Sequence, residues 1–159
     1  MLKSTGGVMV DEYGQWMLRA VAEARGAAES GDVPVGALVF DASGTLLAAA
    51  HNERELRQDP TAHAEILALR AAAQKLGDWQ LLGTTLVVTL EPCPMCAGAI
   101  LAARVPVVVF GAWDDKAGAA GSVHDLLRDR RLPHRVEVFA GVETPACAQL
   151  LTDFFGARR

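Results

Sequence analysis

The chain has 159 residues, with 15 Lys and Arg against 19 Asp and Glu, a formal net charge of −4 at pH 7. Hydrophobic residues make up 51% and charged residues 21%, the balance of a soluble globular protein, and the length predicts one domain over residues 1–159 with a full core. No apolar run approaches the roughly 18 residues of a membrane span. Met1–Gly7 lacks the apolar centre of a signal peptide. Three cysteines are too few for a disulfide framework, so the expected location is cytoplasmic with no membrane partner.

After an unpatterned start, Asp11 to Ser30 reads as an amphipathic helix, with Trp16, Met17, Ala20, Val21 and Ala24 at helical spacing and Gly31 as its stop. Val35–Phe40 and Thr45–Ala50 read as strands joined by the turn Asp41-Ala42-Ser43-Gly44, an antiparallel hairpin. Asn52 follows in a loop. Asp59-Pro60-Thr61 supplies N-cap candidates for a helix running to Leu76 and ended by Gly77. Thr84–Leu90 is a β-branched strand, Cys93 to about Arg104 a helix, and Val107–Phe110 an apolar strand. A loop over Gly111–Gly121, a short helix near Ser122–Arg128, a strand at Arg135–Phe139 and a last helix over Thr144–Phe155 complete the chain. Helices alternating with apolar strands after residue 60 imply parallel crossovers, and the hairpin adds an antiparallel edge. The expected fold class is therefore α/β, a three-layer α/β/α sandwich with a mixed sheet of about five strands. Cys147 reads as a small core residue.

The chemistry concentrates between residues 63 and 96. His63-Ala64-Glu65 precedes one helix, and Glu91-Pro92-Cys93-Pro94-Met95-Cys96 opens another. Pro94 suits the first helical position, which makes Cys93 the N-cap and Cys96 the third helical residue. Both sulfurs then sit near unpaired backbone N–H groups that favour thiolate. His63 and Glu65 lie about 200° apart around a helix, so both reach one metal ion only if it sits over the helix start. One imidazole and two thiolates supply three zinc ligands and leave the fourth position to water, the arrangement of a catalytic rather than a structural site. The water's pKa would fall to about 7. The resulting hydroxide is a nucleophile, with Glu65 as the proton shuttle. Each part has a bland reading: the Cys pair as a redox motif or plain helix start, His63 as a structural histidine, Glu65 as a solvated first-turn acid. Together they match the zinc-deaminase signature H-x-E…P-C-x-x-C.

The match extends further. Asn52, Asp59 to Ile66, Thr89 to Ala99, Val109-Phe110-Gly111-Ala112, Asp114, Lys116, Gly118 to Ser122, His134 to Glu137 and Leu151 to Phe155 resemble the bacterial tRNA-specific adenosine deaminases of the zinc-dependent cytidine/deoxycytidylate deaminase superfamily. That resemblance implies a cytidine-deaminase-like fold, a homodimer and one zinc ion (Zn2+) per subunit. It implies hydrolysis of a wobble adenosine to inosine in the anticodon stem-loop of a tRNA, an arginine tRNA among the candidates. By position, His63, Cys93 and Cys96 would bind the metal and Glu65 would be catalytic. Asn52 and Ala64 would contact the flipped base, Asp114 and Lys116 the anticodon nucleotides, and Phe154 and Phe155 would line or buttress the site. The resemblance departs at Trp113, where the family often carries arginine; stacking on a base and burial both remain open for it.

The alternative enzyme is a deaminase of a free nucleobase or nucleotide of cytosine, guanine or deoxycytidylate type, which would use the same zinc and glutamate. A zinc or RNA-binding module without catalysis is the non-enzymatic alternative. Residues 1–103 carry 7 basic and 12 acidic side chains, and residues 104–159 carry 8 and 7. Arg128, Arg130, Arg131, Arg135 and the terminal Arg158-Arg159 are thus either a solvated face or a phosphate contact.

Overall fold

A computed structural model describes residues 3–158, so Met1, Leu2 and Arg159 of the sequence readings above lie outside the described residues. Helix α1 (Lys3–Ala24) is followed by a 3-10 turn over Arg25–Ser30 that ends on Gly31 in the left-handed region. Then come β1 (Gly36–Phe40), β2 (Leu46–His51), the short α2 (Arg54–Arg57), α3 (Ala64–Leu76) and β3 (Thr85–Leu90). Helix α4 (Pro94–Ala102), β4 (Val107–Ala112), β5 (Glu137–Phe139) and α5 (Thr144–Gly156) follow.

The five strands form one sheet in the order β2-β1-β3-β4-β5. β1 pairs antiparallel with both β2 and β3, while β3–β4 and β4–β5 are parallel. This is the expected mixed sheet with a hairpin edge. Strand alternation divides the core in two. Ala37, Val39, Leu86, Val88, Val108 and Phe110 pack with Ala68, Leu69, Ile100 and Leu101 of α3 and α4. Leu38, Phe40, Val87 and Val109 pack on the other side with Tyr13, Met17, Ala20 and Val21 of α1 and Cys147 of α5. The layers are therefore α/β/α. Cys147 is buried, and desolvation pushes its thiol up to about 12.

Three sequence expectations need correction. Helix α1 begins at Lys3 rather than Asp11, and its last turns tighten to 3-10. A turn of helix, α2, occupies the loop after Asn52. No helix forms over Ser122–Arg128: Val123 and His124 both donate to the Gly118 carbonyl, Leu126 donates to Ala119, and Ala120 bridges Asp125. Those N–H groups are spent on the preceding loop, so the i→i−4 ladder of a helix cannot form. No helix among the described residues is long and apolar enough to cross a membrane.

Candidate active site

Two helix starts converge beyond the end of β3. His63 is the N-cap of α3 and Cys93 the N-cap of α4; both have extended backbone (φ −70, ψ 154 and φ −75, ψ 173), with Pro94 in the first turn of α4. Asp59 does not cap α3. Its carboxylate accepts the Thr61 N–H and hydroxyl at 2.9 and 2.8 Å and builds the preceding turn. Neither helix has a side-chain cap, so their first N–H groups and positive dipole ends face the space between them.

His63 Nδ1 lies 3.7 Å from Cys93 Sγ and 3.5 Å from Cys96 Sγ. The three ligand atoms fall within 4.8 Å of one another and are the one such cluster among the described residues. A tetrahedral zinc ion, with Zn–N about 2.0 Å and Zn–S about 2.3 Å, spaces its nitrogen and sulfur ligands about 3.5 Å apart. The donors thus fit zinc in kind, number and spacing. A hydrogen bond from the Cys96 thiol, against burial and helped by His63, brings the Cys93 thiol down to about 4; the same bond and burial push Cys96 up. The two sulfurs are thus unequal, Cys93 being the more readily ionised.

Glu65, the second residue of α3, is only 4% exposed, which removes the reading of a solvated first-turn acid. Burial raises its pKa above the usual carboxyl range, opposed by hydrogen bonding and by His63. It lines a cavity of about 200 Å³ with His63, Cys93, Ala64, Asn52, Asp114 and the apolar Val33, Val35 and Leu90. This is below the 300 Å³ or so at which drug-sized pockets begin, and suits a single flat ring system. A larger hollow of about 800 Å³ between α1 and the β5–α5 connection contains none of these groups.

The Asn52 amide is fixed: Nδ2 donates to the Val33 carbonyl at 3.2 Å and Oδ1 accepts the Arg54 N–H at 3.1 Å. Asp32, 1% exposed, accepts the N–H groups of Glu55 at 2.6 Å and Leu56 at 3.2 Å, acting as the missing cap of α2. Sequence reasoning missed Asp32 and Arg54, since their roles depend on α2. It also left Glu91 without a role, although the residue sits inside the quoted motif. Glu91 is 2% exposed; Oε1 accepts the Asp114 N–H and the Ser122 hydroxyl, and Oε2 accepts the N–H groups of Ala120 and Ser122. The loop wraps so closely that a Cβ on Gly118 would collide with this carboxylate.

Lys116, Phe154 and Phe155 are not part of the cavity wall. Lys116 is exposed on the loop, its N–H held by Asp114 Oδ1 at 3.1 Å. α5 lies on the α1 side of the sheet. There the Phe154 ring sits 4.1 Å under the Arg158 guanidinium and edge-on to Phe155. Phe155 is 51% exposed beside Leu151 and Thr152. Trp113 is not buried: it is 46% exposed and packs edge-on against Phe110. Of the arginines grouped in the sequence, Arg128 pairs with Asp125 and Arg131 with Asp129.

A mixed five-stranded sheet sandwiched by helices, with a His-Cys-Cys cluster and a buried glutamate at paired helix starts, defines the cytidine-deaminase-like fold. A family model described as MafB19-like deaminase matches residues 12–159. The chain is 48% identical over 140 residues to the tRNA-specific adenosine deaminase of Bacillus subtilis (strain 168), covering 88% of this chain and 86% of that one. A solved structure from work on A-to-I editing by tRNA:A34 deaminases at the wobble position of transfer RNA superposes with a TM-score of 0.79. It is 39% identical and covers 83% of this chain and 95% of that chain. A guanine deaminase from Nitrosomonas europaea superposes with a TM-score of 0.77 at 28% identity, covering 88% and 82%. The chain belongs to the tRNA-specific adenosine deaminase family.

Proposed function

We propose that this chain hydrolyses adenosine to inosine at the wobble position of a tRNA anticodon, an arginine tRNA being the first candidate, as a cytoplasmic homodimer with one zinc ion per subunit. The observation that carries the reading is the meeting of His63, Cys93 and Cys96 with the buried Glu65 in one base-sized cavity.

His63 Nδ1, Cys93 Sγ and Cys96 Sγ would hold the zinc ion, which when bound polarises water for attack at neutral pH. Glu65 takes a proton from the attacking water and delivers it to N1 of the adenine ring as the C6–O bond forms. It then carries the second water proton to the amino nitrogen, the C6–N bond breaks, and ammonia leaves. Burial suits the carboxyl to this double role, because it raises the affinity for the proton in transit. Asn52, already fixed through Val33 and Arg54, offers its remaining amide positions to the purine edge. Ala64 supplies the wall at the α3 start, and Asp114 the rim. Lys116, on the same loop, is assigned to the flanking nucleotides. Phe154 and Phe155 act from the end of α5 only if the RNA reaches around that edge.

The decisive comparison is between an anticodon stem-loop with adenosine at the wobble position and the free compounds adenosine, cytosine and guanine. Zinc-loaded protein is expected to form inosine in the stem-loop alone; turnover of only a free base would overturn the RNA reading. For the dimer, the supporting feature is an apolar hollow of about 370 Å³ between α3 and α4, lined by Ile66, Leu69, Trp79, Ala99 and Ala102. Light scattering at micromolar concentration is expected to give twice the monomer mass, and a monomer would end that part of the proposal.

A further inference from the structure

The charge of the cavity wall poses a problem for a nucleic-acid substrate. It carries the carboxylates of Glu65, Glu91 and Asp114, and Arg54 is its one Lys or Arg. A strand placing one base in this cavity brings its flanking phosphates to the same mouth, where charges closer than the Debye length of about 8 Å are little screened by physiological salt. Some cation must offset that repulsion at the mouth.

Arg54 is built for it. The two arginines of α2 differ: Arg57 is bonded to Glu53, while the Arg54 guanidinium has only a 3.7 Å approach to the equally half-exposed Glu55 carboxylate. Its backbone is far more constrained than its side chain. The Arg54 N–H is held by Asn52 Oδ1, and the next two N–H groups by Asp32. Both anchoring side chains are at least nine-tenths buried. The residue that faces the base and the residue that carries the cation are thus locked in one turn, joined by a 3.1 Å hydrogen bond.

We infer that Arg54 is a specificity-determining residue that binds a backbone phosphate next to the target base, and so selects a polynucleotide over a free base. The inference rests on the RNA reading proposed above. A guanidinium presents two parallel N–H donors to a phosphate, a geometry that an ammonium cannot reproduce.

The test is equilibrium binding of a labelled anticodon stem-loop to the zinc-loaded Glu65→Ala protein across a series of KCl concentrations. That protein is compared with the same chain carrying Arg54→Ala or Arg54→Lys. Lys75→Ala serves as control, since Lys75 is exposed in the last turn of α3, away from the cavity. Loss of one single-strand phosphate contact lowers the slope of log Kd against log salt by about 0.7. Arg54→Ala is expected to show that reduction and about tenfold weaker binding at low salt. Arg54→Lys is expected to recover the slope but not the full affinity, and Lys75→Ala to change neither. An unchanged slope and affinity in Arg54→Ala, beside firm binding by the parent, overturns the inference and leaves the RNA reading standing. Equal losses in Lys75→Ala and Arg54→Ala overturn it too, because the effect would then be net charge alone. A parent protein that does not bind the stem-loop overturns both.

Discussion

Replacing Glu91 with glutamine removes one charge and changes little in volume, yet the structure assigns it a large effect. Each carboxylate oxygen accepts two hydrogen bonds from the 114–122 loop, three of them from backbone N–H groups. An amide can accept on one oxygen only. Its best orientation places the NH2 group where Oε1 stood, so that the Ser122 hydroxyl turns from donor to acceptor. The Asp114 N–H then faces another donor, and the remaining bonds lose their charge assistance. One orphaned buried group and weakened partners together cost roughly 2–4 kcal/mol. With a urea dependence of about 2 kcal/mol per M, the unfolding midpoint of zinc-loaded Glu91→Gln should fall by about 1–2 M. Because Asp114 is held by this bond at the cavity rim, KM for the stem-loop should rise more than kcat falls. A midpoint within 0.2 M or so of the parent, with KM unchanged, would refute the reasoning.

Glu65→Ala is expected to keep its zinc content and unfolding midpoint while turnover drops to background; retained turnover would remove Glu65 from the mechanism. Chelation should abolish turnover and expose Cys93, half-buried at the cluster, to a thiol reagent, while Cys147 at 1% exposure stays silent. Equal reactivity of Cys93 before and after chelation would count against a metal there. Asp32 supplies an acid-side signature. Burial alone would raise its pKa, but hydrogen bonds from Ser30 and the Glu55 and Leu56 N–H groups outweigh it and hold the carboxyl below the usual 3.8. A group lowered on folding contributes stability above its unfolded pKa and loses it as pH falls through the folded value. Asp32→Asn should therefore lose less stability than the parent between about pH 5 and pH 3. Parallel pH profiles for the two proteins would contradict the assignment.

The sequence by itself determined what short-range rules decide. The hairpin followed from the turn at Asp41–Gly44, the helix stops from Gly31 and Gly77, and the α4 start from Pro94 after Cys93. The convergence of His63 with Cys93 and Cys96 was legible because each ligand is fixed by its own helix start, and only one meeting point satisfies both. Tertiary structure decided the rest. Glu91 acquires its partners 23–31 residues downstream, and Asp32 caps a helix turn 23 residues away. Glu91 takes the Ser122 N–H, and the carbonyls of Gly118 and Ala119 take those of Val123, His124 and Leu126, so no helix forms over Ser122–Arg128. The Asp32 bonds support α2 in a stretch with no helical periodicity. The Asn52 side chain locks Arg54 beside it, while the packing of α5 with α1 leaves Phe154 and Phe155 outside the cavity wall. A buried carboxylate takes whichever N–H groups the folded chain brings to it, and local periodicity carries no record of that choice.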